Sequence, residues 1–251
     1  MTPVVRTLLI ANILAFFLQE TLPALANAMV FVPRLALIRP WSIVTYMFLH
    51  GGIMHLAFNM LSLFFFGPRV EARLGSRHFA VLYFISGIVG AILSMIFSPM
   101  AAIIGASAGV FGVMLAFAWF WPNEQILIWG ILPMPARMLV ILTTVFSLWV
   151  GFGAAGSGIA HFAHLGGYAG AFLYLKWLER KRGAFKRKVD AVSPALGKRL
   201  HKAPSIDMSR VHEVNRDEVN RLLDKISAHG VASLTPQEQL FLSNFVPPDE
   251  R

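Results

Sequence analysis

The chain has 251 residues, 56% of them hydrophobic and 14% charged, with a mean hydropathy of +0.62; a water-soluble domain carries about 25% charged residues, so the composition indicates a membrane protein. There is no cysteine, which excludes disulfides, thiolate catalysis and cysteine-ligated metals and leaves the redox compartment open. Of the 22 Lys and Arg, 15 lie at or beyond Lys176 among interspersed acidic residues, and this pattern reads as positive-inside topology rather than nucleic-acid binding.

Met1 to Ala28 carries the outline of a signal peptide, with an apolar stretch from Leu8 to Leu18 and Ala26-Asn27-Ala28 resembling a cleavage site. A multi-span protein needs no removable signal, so Val4–Leu22 is read as the first of six spans. The others are approximately Ile43–Phe66, Phe79–Phe97, Ser107–Trp121, Met138–Phe152 and Ile159–Leu178. The first loop, about residues 23–40, is rich in apolar residues such as Phe31, Leu35 and Leu37, a composition suited to the membrane interface. The fourth span is short, and residues 101–106 before it are expected as a non-helical approach covered by protein.

Arg69, Arg73 and Arg77, then Arg137, then Lys176, Arg180, Lys181 and Arg182 fall on one side of a six-span layout. That side is expected to be cytoplasmic, with both termini inside. Ser107 and His164 then share the outer leaflet. Beyond Gly183 the chain is polar. Residues 183–205 read as a basic flexible linker and 206–251 as a small helical tail. In the tail, Val214 to Ala228 has helical spacing and ends at Gly230, and Thr235-Pro236-Gln237-Glu238 forms a capping box.

Polar residues within the spans fall in three clusters: His50, His55 and Asn59; Ser107; and His161 with His164. A hydroxyl or imidazole at membrane depth costs free energy unless it is paired or reaches water. Ser107 lies in Gly105-Ala106-Ser107-Ala108-Gly109-Val110-Phe111-Gly112, at a helix start whose free N–H groups suit an oxyanion. Alternatively it is a small packing serine. His164, in Ala163-His164-Leu165-Gly166-Gly167, is a candidate general base or a buried, carbonyl-bonded histidine. Only Glu124 and Glu179 lie near spans four to six, at their inner ends, so a Ser–His dyad is expected rather than a triad. His55 and Asn59, four apart, share a helix face as a structural pair or as oxyanion donors. His161 with His164 keeps a zinc or haem reading open, although no acidic residue completes a metal shell at that depth. His50 reads as a residue satisfied at the water interface.

In this order the clusters resemble the rhomboid family of intramembrane serine proteases. The resemblance rests on His50-x4-His55-x3-Asn59, Gly67-x3-Glu71-x3-Gly75-Ser76, the Gly105–Gly112 stretch and Ala163-His164-x-Gly166-Gly167-x2-Gly170, and covers about residues 4–182. It implies an all-α, compact six-transmembrane-helix bundle over 1–182, with a water-filled cavity opening outward and the soluble helical hairpin outside it. It further implies Ser107 as nucleophile and His164 as general base. His55, Asn59 and the Ser107 N–H would form the oxyanion hole, and the fifth span would gate lateral access. Substrates would be single-span proteins of the bilayer, without metal, cofactor or nucleic acid, in a bacterial inner membrane. Trp41 is followed by Ser42 where the family often has Trp-Arg, Ala108 stands where Gly is commoner, and Phe111 lacks the hydroxyl of an aromatic that commonly stacks on the histidine. Two other readings remain open: a catalytically inactive member that binds transmembrane helices, and a metal or haem protein using His50, His55, His161 and His164.

Overall fold

The computed structural model describes residues 1–128, 131–153, 161–202, 206, 208 and 211–246. The chain divides into two compact units, Met1–Lys176 and Trp177–Arg251.

The first unit is an all-α membrane bundle. Its helices are α1 (Pro3–Thr21), α2 (Pro23–Met29), α3 (Ser42–Thr45), α4 (Ile53–Leu74), α5 (Ser76–Phe97), α6 (Ser107–Phe120), α7 (Ala136–Gly153) and the start of α8 (His161–Lys202). Among the described residues α1, α4, α5 and α7 are long and apolar enough to cross a bilayer; α6 is a shorter apolar helix packed between α4 and α5.

The second span departs from the expected Ile43–Phe66. Residues 42–48 form α3 and a short 3-10 turn, and the long helix starts only at Ile53. Gly52 has φ +147°, a conformation closed to most side chains, so the chain turns there before α4 begins. At its other end α4 continues through Pro68 to Leu74. Its last turns hold α1: the Glu71 carboxylate accepts the N–H groups of Val4 (3.0 Å) and Val5 (2.9 Å) and the Ser76 hydroxyl (2.6 Å). The first N–H groups of a helix lack intrahelical acceptors, and here a carboxylate from another helix supplies them.

The first loop contains α2 and is braced without the Trp-Arg pair. Trp41 Nε1 donates to the Ala28 carbonyl (2.9 Å), Arg39 to that of Asn27 (3.0 Å) and Thr45 to that of Met29 (3.0 Å). An antiparallel bridge joins Phe31 to Ile103, so the loop is stitched to the segment approaching Ser107. An unexpected hairpin, β1 (Gln125–Ile128) with β2 (Leu132–Pro135), lies between α6 and α7; Gln125 pairs with Pro135 and Ile128 with Leu132.

In the second unit the basic segment expected as a flexible linker over 183–205 is helical through Lys202, as the end of α8. It is rich in Lys, Arg, Ala and Leu, which are strong helix formers. Then α9 (Glu213–His229) and α10 (Pro236–Ser243) close on their own core of Val211, Val219, Leu222, Leu234 and Leu242. The capping box at Thr235 and Glu238 is formed in both directions.

Candidate active site

Ser107 is the first residue of α6, and loop geometry fixes where it starts. The Gly105 N–H donates to the Tyr46 carbonyl (3.0 Å). Gly105 has φ +124°, and a β-carbon there would lie 2.8 Å from Cε1 and Nε2 of His55. Only glycine lets the chain turn while the imidazole sits this close. At a helix start the Ser107 N–H has no intrahelical acceptor.

His164 reaches Ser107 because α8 approaches α5 and α6 backbone to backbone. A β-carbon on Gly166 would lie 2.6 Å from the Val89 carbonyl oxygen, and one on Gly90 would lie 2.7 Å from the Ala163 carbonyl oxygen. One on Gly167 would overlap the Ala108 carbonyl. Small residues permit this contact, as in other membrane helix pairs. The result is a hydrogen bond of 2.8 Å between His164 Nε2 and Ser107 Oγ. Phe111, one turn after Ser107, stacks on the His164 ring with centroids 4.2 Å apart and planes at 17°. Tyr168 leans on Phe111 from α8 and hydrogen-bonds Thr143 of α7 at 2.7 Å.

Ser107 and His164 line a cavity of about 500 Å³ together with His55, Asn59, Ala102 and Met114. His55 Nδ1 accepts the Gly51 N–H at 3.2 Å. The acceptor nitrogen of a neutral imidazole carries no proton, so the hydrogen bond assigns the proton to Nε2, the nitrogen beside Gly105. Asn59 donates to the His55 carbonyl at 3.0 Å and keeps a second amide N–H. The cavity therefore brings together an alcohol bonded to an imidazole and three further donor groups: His55, Asn59 and the start of α6.

His50 does not sit at the water interface as expected. It is 1% exposed, with its ring 5.1 Å from that of His55. The side-chain amide of Gln19 takes both of its backbone groups (2.6 and 2.9 Å), which leaves the imidazole to turn inward. His161 is also buried, 6.1 Å from the His164 ring. The four histidines thus form two ring pairs, and among the described residues no three His, Asp or Glu converge as metal ligands. Sequence reasoning missed Ser86, Gly87 and Gly90 of α5; Ser86-Gly87-x2-Gly90 was a visible small-residue signal in the third span. Gly112 of α6 packs on Ser86, and Gly87 on Met47.

The fold and the site define a helical membrane protein with a hydroxyl–imidazole pair lining an internal cavity, an arrangement able to supply a nucleophile and its base. The rhomboid domain family matches residues 38–181, more than half the chain. The chain belongs to the rhomboid family, whose members are generally intramembrane serine proteases. It is 36% identical over 154 residues to the rhomboid protease GluP of Bacillus subtilis, covering 61% of this chain and 29% of that protein. It is 33% identical over 152 residues to RHOMBOID-like protein 4 of Arabidopsis thaliana, covering 57% and 37%. To rhomboid-like protease 3 of Toxoplasma gondii it is 32% identical over 151 residues, covering 60% and 55%. The chain thus spans only about a third to a half of the length of these relatives.

Proposed function

We propose that this chain is an intramembrane serine endopeptidase, with Ser107 as nucleophile and His164 as general base. The observation that carries the reading is the 2.8 Å bond from His164 Nε2 to Ser107 Oγ in a cavity that also holds His55 and Asn59. In the proposed reaction His164 takes the Ser107 proton as Oγ attacks the scissile carbonyl. The tetrahedral oxyanion accepts from the Ser107 N–H, His55 and Asn59, and one such donor is worth roughly 3 kcal/mol in other enzymes. His164 then gives its proton to the leaving amine. Water attacking the acyl-enzyme ester, with His164 again as base, releases the second product and restores Ser107.

The proposed substrates are single-span membrane proteins, cut near the outer face. A helical substrate shields its carbonyls in hydrogen bonds, so small or helix-breaking residues near the cut are favoured. The proposed setting is a bacterial inner membrane with both termini cytoplasmic, supported by the Arg and Lys of the loops on one side. The apolar unit, about 1–182, carries the reaction, and the tail beyond it is a separate helical module. The test is a fluorophosphonate probe on the full chain in liposomes, with the adduct mapped by mass spectrometry. The reading expects one adduct, on Ser107, that disappears in His164→Ala. An unlabelled Ser107 in well-folded protein would favour the inactive, helix-binding alternative.

A further inference from the structure

His161 is a buried imidazole with no part in the chemistry above. It is 4% exposed, and neither ring nitrogen has a protein hydrogen-bond partner among the described residues. It stands one turn before His164 on α8, with ring centroids 6.1 Å apart and planes at 81°. On its other side Phe146 of α7 packs edge-on at 5.8 Å, at 72°. That centroid separation is too long for a direct nitrogen–nitrogen hydrogen bond and fits a single bridging water. His164, on the near side of that gap, lines the cavity in which hydrolysis would need water.

His164 has a second requirement. To accept from Ser107 at Nε2 it must carry its proton on Nδ1, and in serine hydrolases a carboxylate commonly enforces this. No Asp or Glu occurs between Gln125 and Trp177. The titratable side chains within a turn of His164 on its own helix are His161 and Tyr168, the latter engaged with Thr143 of α7; α4 contributes His55, and α7 has only Arg137, in its first turn.

We infer that His161 is a positioning residue for His164. Through one water it accepts the Nδ1–H of His164, fixing the tautomer and ring orientation that aim Nε2 at Ser107. Phe111 clamps the His164 ring face, and Phe146 holds His161 from α7. His161 does not touch the substrate, and it rests on the proposed dyad. The bridge places the proton before the reaction and consumes nothing.

The test uses the full chain in liposomes with a fluorescent single-span substrate. It compares wild type, Ser107→Ala, His161→Leu and His161→Gln for kcat, KM, pH profile and melting temperature. His161→Leu keeps bulk and removes both ring nitrogens; His161→Gln keeps a side chain able to hold the water. The expected result is a loss of about tenfold or more in kcat for His161→Leu, with KM within about twofold, an unchanged melting temperature and a displaced acid limb. His161→Gln recovers most of the rate. A wild-type kcat and pH profile in His161→Leu overturns the inference, as does equal loss in both variants. If Ser107→Ala cleaves like wild type, the dyad reading falls and this inference with it. If Ser107→Ala is dead while His161→Leu is unimpaired, only this inference falls.

Discussion

Gly167→Ala tests whether glycine packing sets the distance between Ser107 and His164. A β-carbon at this position would overlap the Ala108 carbonyl oxygen, with the carbonyl carbon at 2.9 Å and Cα at 3.1 Å. These are backbone atoms, so no side chain can swing away. Ordinary carbon contacts lie at about 3.5–4.0 Å, so α8 must withdraw from α6 by about 1 Å. Ser107 adjoins Ala108 on one helix, and His164 is one turn from Gly167 on the other. The 2.8 Å bond between them would open to nearly 4 Å, beyond hydrogen-bond range. A misplacement of about 1 Å at reacting groups lowers rates by about 100-fold. The assay is kcat in liposomes, with melting temperature recorded in parallel. Gly183→Ala is the control: nothing lies within 4 Å of its β-carbon, and it should leave kcat unchanged. Wild-type turnover in Gly167→Ala would refute the argument that this contact fixes the pair.

Three further outcomes follow from other contacts. Asn59→Ala should lower kcat by about 100-fold with little change in KM, because an oxyanion donor acts mainly in the transition state; a KM-only effect would place Asn59 in ground-state binding. Glu71→Ala should destabilise the bundle by about 2–3 kcal/mol, measured as a lower melting temperature in detergent, because Val4 N–H, Val5 N–H and the Ser76 hydroxyl lose their shared acceptor. In the tail, the Lys225 ammonium, the Thr235 N–H and Arg221 hold the Glu238 carboxyl below the usual carboxylate range. Folding therefore favours ionised Glu238; this stabilisation is complete above the unfolded carboxylate pKa of about 4.3 and is lost as pH falls below it. Amide exchange in α9 and α10, corrected for the intrinsic pH dependence, should show protection falling below that pH in wild type and falling less in Glu238→Gln, where the Glu218 carboxylate remains paired with Arg221.

The apolar runs were legible because a bilayer imposes length and composition on its helices. Their ends were less so. The second span was read through Gly51-Gly52, where composition stays apolar while the backbone of Gly52 turns to positive φ. The β1–β2 hairpin escaped because its strands are four residues each, merge with neighbouring apolar sequence and include Pro133 and Pro135. Polar composition after Gly183 suggested a linker, whereas helix propensity carried α8 on to Lys202. The meeting of Ser107 with His164 was readable from two small-residue motifs on separate spans, since small residues mark close helix contacts. The partners that fix it were not: Gly90 of α5 meets Ala163, and the Gly105 turn meets His55, only in three dimensions. The Gln19 contact that turns His50 inward likewise joins residues 31 apart.

The central claim is that Ser107 and His164 act as one catalytic unit. Its most direct test is cleavage of labelled single-span proteins in liposomes by wild type, Ser107→Ala and His164→Ala, with and without chelator. The account predicts cleavage by wild type alone, unchanged by chelator, at bonds near the outer face. Cleavage by Ser107→Ala at the wild-type rate would contradict it.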